Sequence, residues 1–256
     1  MNNKKEIIEK NHYNKFVYIK TKKDTNPSSS LCRKYIINKV INSIPEKNFK
    51  IKTILDIGCG IGANAVYLDG YYEKYIGVDF SDKMIEVAKK FTNNVNNVSF
   101  IVSNVKSLKI STMSEINVVL MDGALHHMTQ LEEVFTYLKK IIRPETIFLA
   151  REPQNGSSFF QLLRKIRMKV DKSYSKHQIF FSEIELFEIM QKCQMKDIQF
   201  SYQGLMTPPL SQIVIRPNFI IYPIVKLLLG LEKILDKFKF MQKSKITWNV
   251  IIYAKF

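Results

Sequence analysis

The residues of this chain that could do chemistry collect around a glycine-rich stretch, Asp56-Ile57-Gly58-Cys59-Gly60-Ile61-Gly62-Ala63. An apolar run, Thr53-Ile54-Leu55, leads into the acid. Beyond Asn64 the period lengthens, and Ala65, Val66, Leu68 and Tyr72 fall at helical spacing. Strand, glycine turn and helix make a corner on which a cofactor can lie, because glycine lets the backbone turn tightly and approach a ligand closely. A second acid, Asp79, follows about 20 residues later, so Gly58-x-Gly60-x-x-Ala63 fits the dinucleotide fingerprint. Asp56 speaks against a dinucleotide. A carboxylate just ahead of the first glycine would face a pyrophosphate of like charge. It suits a ligand with an ammonium group beside a ribose and no phosphate.

S-adenosylmethionine has that make-up. Asp56 would order its ammonium side, directly or through water. The N–H groups of Gly58, Cys59 and Gly60 would approach the cofactor, and Asp79 would accept from both ribose hydroxyls. Methyl transfer from a sulfonium is an in-line displacement to which the cofactor brings the reactivity. The protein aligns the acceptor and, where the acceptor is protonated, removes its proton. Candidates for that work lie in Leu120-Met121-Asp122-Gly123-Ala124-Leu125-His126-His127-Met128. His127 is either a base or acceptor-orienting group facing the methyl, or a histidine that packs over the cofactor and bonds a loop. His126 is the weaker candidate, and His12 and His177 would count only if their segments fold inward. Glu152 either binds a polar acceptor group or pairs with Arg151 or a lysine. No metal-ligand spacing such as H-E-x-x-H occurs, so no metal is expected.

The elements that must position these residues alternate. Strands are predicted over Ile51–Ile57, Lys74–Asp79, Val98–Ser103, Asn117–Met121 and Thr146–Ala150. Helices are predicted over Ala63–Tyr72, from Ser81 through Phe91, and over Gln130–Ile142. Such alternation means a parallel sheet with right-handed crossovers, whose ligands collect at the carboxyl ends of the strands. Asp56, Asp79, Asn104, Asp122 and Glu152 all fall at or just past such ends. Ahead of this core, Ser28-Ser29-Ser30 offers a helix cap before the stripe Leu31, Tyr35, Ile36, Val40, Ile41. Behind it, Ser182-Glu183-Ile184-Glu185 reads as a capping box, followed by strands at Asp197–Tyr202 and Ile246–Phe256.

Leu55-Asp56-Ile57-Gly58-Cys59-Gly60-Ile61-Gly62 resembles motif I of the class I S-adenosylmethionine-dependent methyltransferases, and Gly77-Val78-Asp79-Phe80-Ser81-Asp82-Lys83-Met84-Ile85 resembles their motif II. The likeness covers roughly residues 50 to 152, within a core at 49–152. It implies a Rossmann-like α/β fold, a seven-stranded, mostly parallel sheet with helices on both faces. Residues 1–48 would be an N-terminal helical cap. Residues 153–256 would hold the last two strands as an antiparallel hairpin, with insertions at about 153–181 and 203–245 shaping the acceptor pocket. The resemblance adds Phe80, Met84, Asn104, Val105 and Asp122 to the cofactor contacts, with Tyr13 reaching in from the cap. Asn104 stands where relatives often carry an aspartate near the adenine amine, and its oxygen can still accept. The Leu-His-His segment is similar to one in the small-molecule branch, which implies His127, with His126 and Asp122, at the transfer site. Asn117 replaces another frequent aspartate and reads as structural.

Hydrophobic content of 46% supports a globular chain, and a net charge of +16 raises nucleic acid or an anionic membrane as a partner. The lysines are scattered rather than clustered. The Asn/Asp-Pro-Pro-aromatic segment of base-amine methyltransferases is replaced by Asp122-Gly123-Ala124-Leu125, so nucleic acid is the lesser reading. A nicotinamide enzyme and a non-catalytic binding protein are lesser readings too. Phe159-Phe160, Phe180-Phe181 and Leu205–Leu210 suggest a small, apolar or lipid-like acceptor. Cys32, Cys59 and Cys193 are far apart without C-x-x-C, and no signal peptide is visible at Met1–Lys10. Reduced thiols and a cytoplasmic site follow. Phe219–Leu231 is the most apolar run and too short to span a bilayer. From Pro223 onward it reads as an amphipathic helix, so 219–238 is core, a lid or a peripheral membrane contact.

Overall fold

The computed structural model describes residues 2–109, 115–155, 158–171, 175, 178–211, 217–238 and 247–256. His177 lies outside them, as do parts of both expected insertions. Seven strands form one sheet: β1 (Ile51–Ile57), β2 (Tyr72–Asp79), β3 (Val98–Val102), β4 (Ile116–Asp122), β5 (Ile147–Pro153), β6 (Lys196–Gln203) and β7 (Asn249–Lys255). Their order is β3-β2-β1-β4-β5-β7-β6. The first five are parallel, while β7 runs antiparallel between β5 and β6. The order reverses between β1 and β4, where a doubly wound sheet opens a crevice at its carboxyl edge. The glycine turn after β1 and the two histidines after β4 flank that crevice.

Both faces of the sheet are covered, which is why its central strands are apolar runs rather than alternations. On one face Leu55, Val119, Met121, Phe148 and Ile252 pack with Val134, Phe135 and Leu138 of α5 (Leu131–Ile141) and with Leu186 and Met190. Phe135, Phe148 and Phe256 meet edge to face there. On the other face Ile54, Val118, Leu120, Leu149 and Ile251 pack with Ile37 and Val40 and with Met84 of α4 (Asp82–Phe91). Ser81 caps α4 as expected, accepting from the Met84 N–H at 3.1 Å. The Ser182–Glu185 capping box opens the helix Glu183–Lys192. Asn117 is structural: its oxygen accepts from the N–H groups of Lys52 and Thr53, where the β1–β4 register shifts.

Residues Asn2–Asp24 form one long helix, α1, in the expected N-terminal helical cap, although they carry no apolar stripe, and three other expectations change. Polar contacts to the body hold it: Lys10 pairs with Asp82 at 3.1 Å, and Asn14 accepts from Ser81 Oγ at 2.6 Å. The helix α2 (Pro27–Ile41) is capped by Asn26, not by the serines. The Asn26 side chain accepts from the N–H groups of Ser28 and Ser29, and Pro27 takes the first helical position, where its missing N–H costs nothing. The helix after the glycine turn, α3 (Ala63–Tyr67), ends early, because Asp69-Gly70 turns the chain and Tyr72 already starts β2. Finally, the apolar run becomes α9 (Asn218–Leu235), starting before Pro223 rather than at it. A proline there removes only one early intrahelical bond.

The segment after β5 carries α6 (Ser158–Val170), and that after β6 carries α8 (Thr207–Leu210) and α9. Val225, Leu229 and Glu232 are the buried residues of α9. The Glu232 carboxylate accepts from the N–H groups of Met206 and Thr207, at 2.9 and 2.6 Å, and from the Thr207 hydroxyl at 2.6 Å. It thereby satisfies the start of α8.

Candidate active site

The glycine turn works by shape. Gly58, Gly60 and Gly62 all have positive φ, at 77°, 55° and 71°. A Cβ on Gly58 would come within 2.7 Å of Ala124 Cβ, so a side chain there would both strain the backbone and fill the crevice. The N–H groups of the turn are spent internally. Those of Gly58 and Cys59 donate to the Val78 carbonyl, that of Gly60 to Asp79 Oδ2 at 2.9 Å, and that of Gly62 to the Cys59 carbonyl. This corrects the expectation that they reach toward a cofactor.

Above the turn lies a cavity of about 380 Å³, closed on one side by α1. Tyr13, Gly58, Gly60, Asp79, Phe80, Met84, Asn104, Val105 and His127 line it, all of them anticipated from the sequence. Burial raises the pKa of Asp79, although N–H donors from Ser81 and Gly60 work the other way. Each Asp79 oxygen has one such bond and room for another. Asn104 Oδ1 accepts from the Lys106 N–H at 3.0 Å.

Asp56 and Cys59 do not line this cavity. Asp56 is fully buried behind the turn, where Tyr75 OH and Asn64 Nδ2 donate to its Oδ2. Burial pushes its pKa up to about 7 against those two bonds. Its Oδ1 is buried and has no hydrogen-bond partner among the described residues. The Cys59 sulfur packs where a Gly77 side chain would be, and burial raises its thiol pKa, so only its backbone serves the turn.

The histidines of the turn at Leu125–His127 lie side by side, with ring centroids 4.0 Å apart, and differ in their partners. His127 is locked to α1: Tyr13 OH lies 2.6 Å from its Nε2, and Glu9 Oε2 lies 3.3 Å from its Nδ1. Burial first, then the neighbouring His126, lowers the pKa of His127 to about 3. The Glu9 pKa is also lowered; burial opposes that, and bonds from His127 and Ser175 outweigh it. The two shifts agree on one state, a neutral imidazole beside an ionised carboxylate, its Nε2 accepting from the phenol.

His126 faces a second chamber of about 180 Å³, which shares Tyr13, Lys20, Gly123 and His127 with the first. Its Nδ1 is 2.6 Å from Glu152 Oε2, while Glu152 Oε1 accepts from the Leu125 N–H at 2.8 Å. Its Nε2 has no hydrogen bond among the described residues. Glu152 thus pairs with neither Arg151 nor a lysine. Arg151 instead donates from Nε to Asp122 Oδ1 at 2.6 Å. Asp122 therefore belongs to the wall of the second chamber, not to the cofactor cavity assumed for it. His12 lines neither cavity and rests against Phe16. Glu9 and Lys20 do not stand out in the sequence, although with Tyr13 they recur at i, i+4 and i+11, one face of a helix.

A doubly wound sheet with a buried acid after β2 and a cavity at its switch point has the architecture of a nucleoside-cofactor protein. The methyltransferase-domain family profile matches residues 48–205, and the chain belongs to that family as a class I S-adenosylmethionine-dependent methyltransferase. It is 28% identical over 150 residues to the uncharacterized methyltransferase YcgJ of Bacillus subtilis, covering 54% of this chain and 59% of that one. It is 29% identical over 100 residues to CRG1 of Saccharomyces cerevisiae, a probable S-adenosylmethionine-dependent methyltransferase, covering 38% and 34%. The chain thus spans about a third to three fifths of the length of these curated relatives. In fold it resembles a Thermotoga maritima S-adenosylmethionine-dependent methyltransferase, with TM-score 0.66, 17% identity and coverage of 96% and 98%. It also resembles the Synechocystis magnesium protoporphyrin IX methyltransferase with bound S-adenosylhomocysteine, with TM-score 0.64, 12% identity and coverage of 98% and 99%. The cofactor is S-adenosylmethionine.

Proposed function

We propose that the chain methylates a small acceptor that enters through the second chamber, with His126 as general base and Glu152 as its orienting partner. One observation carries this reading: His126 stands in that chamber with Nδ1 held by a carboxylate and Nε2 open. The cofactor would lie in the first cavity, its ribose on Asp79 and its adenine between Phe80, Met84 and the Asn104–Val105 turn. It supplies the electrophilic methyl. His126 Nε2 takes the acceptor's proton, and the Glu152 carboxylate stabilises the imidazolium that forms. His127, neutral, bonded to Tyr13 and beside Glu9, ties the cap helix over the junction instead. Isothermal calorimetry tests the cofactor half: S-adenosylhomocysteine binds and NADH does not, and the reverse result would sink the reading.

We infer further that the acceptor is partly apolar and met at a membrane surface. Met168, Phe180, Pro208, Pro209 and Trp248 give the second chamber an apolar wall. On α9 and just beyond it Phe219, Leu227, Ile234 and Phe238 are 78%, 67%, 55% and 58% exposed, next to Lys226 and Lys237, which form no ion pair among the described residues. No helix among the described residues is long and apolar enough to cross a bilayer, so the contact would be interfacial. Fold relatives include a methyltransferase in complex with phosphomonomethylethanolamine and a magnesium protoporphyrin IX methyltransferase, so the fold does not choose the acceptor. In liposome flotation the protein should rise with anionic vesicles and lose this in high salt, and Leu227→Asp with Leu231→Asp should stay at the bottom. Wild-type protein that never floats would end the membrane reading and leave the chamber assignment standing.

A further inference from the structure

Among the described residues, the second chamber is lined by the cations Lys20, Lys23, Arg33, Arg151 and Arg164 and the carboxylates Asp24 and Asp122. Carboxylates neutralise three of these cations: Lys23 pairs with Asp171, Arg33 with Asp24 at 2.9 Å, and Arg151 with Asp122 at 2.6 Å. Arg164 donates to the Trp248 and Gln154 carbonyl oxygens and lies over the Phe180 ring at 5.5 Å. Lys20 differs from all of them. Its ammonium sits 4.6 Å over the ring of Tyr13 and makes no hydrogen bond or ion pair among the described residues. Burial lowers its pKa, and the carboxylates that act on it, Asp24 and Asp79, are already engaged by Arg33 and by backbone N–H groups.

A half-buried ammonium without a partner is costly unless something completes it. Lys20 lines both cavities, and the ring beneath it belongs to the phenol that bonds His127. The charge is thus held at the place where cofactor and acceptor meet.

Resting on the reading that the second chamber takes the acceptor, we propose that Lys20 is the anion receptor of the transfer site and holds a carboxylate or phosphate of the acceptor. The same chemistry has a second source, the amino-acid carboxylate of the cofactor, which the first cavity brings within the reach of the same side chain. The acceptor is favoured because the excess of cations lies in the second chamber. A partly apolar acceptor would then be an amphiphile, its anionic group inside and its apolar part along Phe180, Pro208 and Trp248.

Two measurements on wild type, Lys20→Gln and Lys20→Arg separate the sources. The first is calorimetric affinity for S-adenosylhomocysteine and for decarboxylated S-adenosylmethionine. The second is thermal unfolding of the S-adenosylhomocysteine-saturated protein, with inorganic phosphate or acetate replacing chloride at constant ionic strength. The expected result is a rise in midpoint with phosphate or acetate that Lys20→Gln abolishes and Lys20→Arg retains, with S-adenosylhomocysteine affinity changed by less than about threefold. A loss of about tenfold in S-adenosylhomocysteine affinity in Lys20→Gln, with decarboxylated S-adenosylmethionine unaffected, would move the anion to the cofactor and overturn the acceptor assignment. No change in either measurement, or equal weakening of both nucleosides, overturns the receptor role. Should Lys20→Gln not fold, the wild-type response to phosphate and acetate decides alone, its absence counting against the proposal. Wild type that binds no S-adenosylhomocysteine would instead refute the methyltransferase reading, which is a separate result.

Discussion

Replacing Asp79 with Ala should weaken S-adenosylhomocysteine binding by about a hundredfold or more. Two hydrogen bonds from ribose hydroxyls to a buried carboxylate are worth about 1.5–3 kcal/mol each, and about 1.4 kcal/mol is a tenfold change. Asp79 also receives the Gly60 and Ser81 N–H groups, so its removal loosens the glycine turn that shapes the cavity. Asp79→Asn separates the two effects, because an amide oxygen still accepts from one side while its NH₂ group opposes an N–H donor on the other. Its affinity should fall between the other two. Because burial raises the Asp79 pKa, wild-type affinity should also decline sooner on acidification than an ordinary aspartate would allow. Calorimetry across pH checks both points. An Asp79→Ala protein that is folded and binds within about fivefold of wild type would remove Asp79 from the ribose site.

The second large effect is expected at His126. General-base catalysis contributes about 10²- to 10⁴-fold, so His126→Ala should lower kcat by that order with cofactor affinity nearly unchanged. Glu152→Gln should fall the same way by a smaller factor, because the amide can hold the ring but not stabilise its charge. His127→Ala should give the opposite split. Its imidazole stays neutral at working pH, and its bonds go to Tyr13 and Glu9 of α1, so its loss should weaken cofactor binding and spare the chemical step. Single-turnover rates with a panel of hydroxyl and amine acceptors, set against S-adenosylhomocysteine affinities, distinguish the two histidines. A larger kcat loss in His127→Ala than in His126→Ala would reverse the assignment.

The parallel core was legible because each of its elements is written locally. Ile51–Ile57 is apolar and ends at a glycine turn, and Ser81 and Ser182 cap the helices they precede. The long helix α1 was legible only through the family resemblance, because polar residues hold it to partners far away in sequence, and no period in 1–24 reports such partners. The division of labour between His126 and His127 was hidden for a related reason. The two adjacent histidines differ in their partners, Glu152 and Glu9, which come from different elements. Asp56 was placed on the right strand, but its side chain points behind the turn, where Tyr75 and Asn64 meet it. The gathering of Lys20, Arg33, Arg151 and Arg164 in one chamber depends on four separate segments, and the sequence shows them only as scattered charge.

Glu232 gives the surface helix and the chamber a common fate. Its buried carboxylate belongs to α9 and accepts from the start of α8, whose Pro208 and Pro209 stand in the chamber wall. Separating the two helices would leave a buried charge without donors, a loss of about 3–5 kcal/mol for a broken buried pair. A tilt of α9 is therefore transmitted to α8 rather than absorbed between them. Whatever α9 rests on and whatever the chamber holds are then linked thermodynamically. If a surface contact favours one setting of the wall, a ligand that prefers that setting must tighten the surface contact by the same factor.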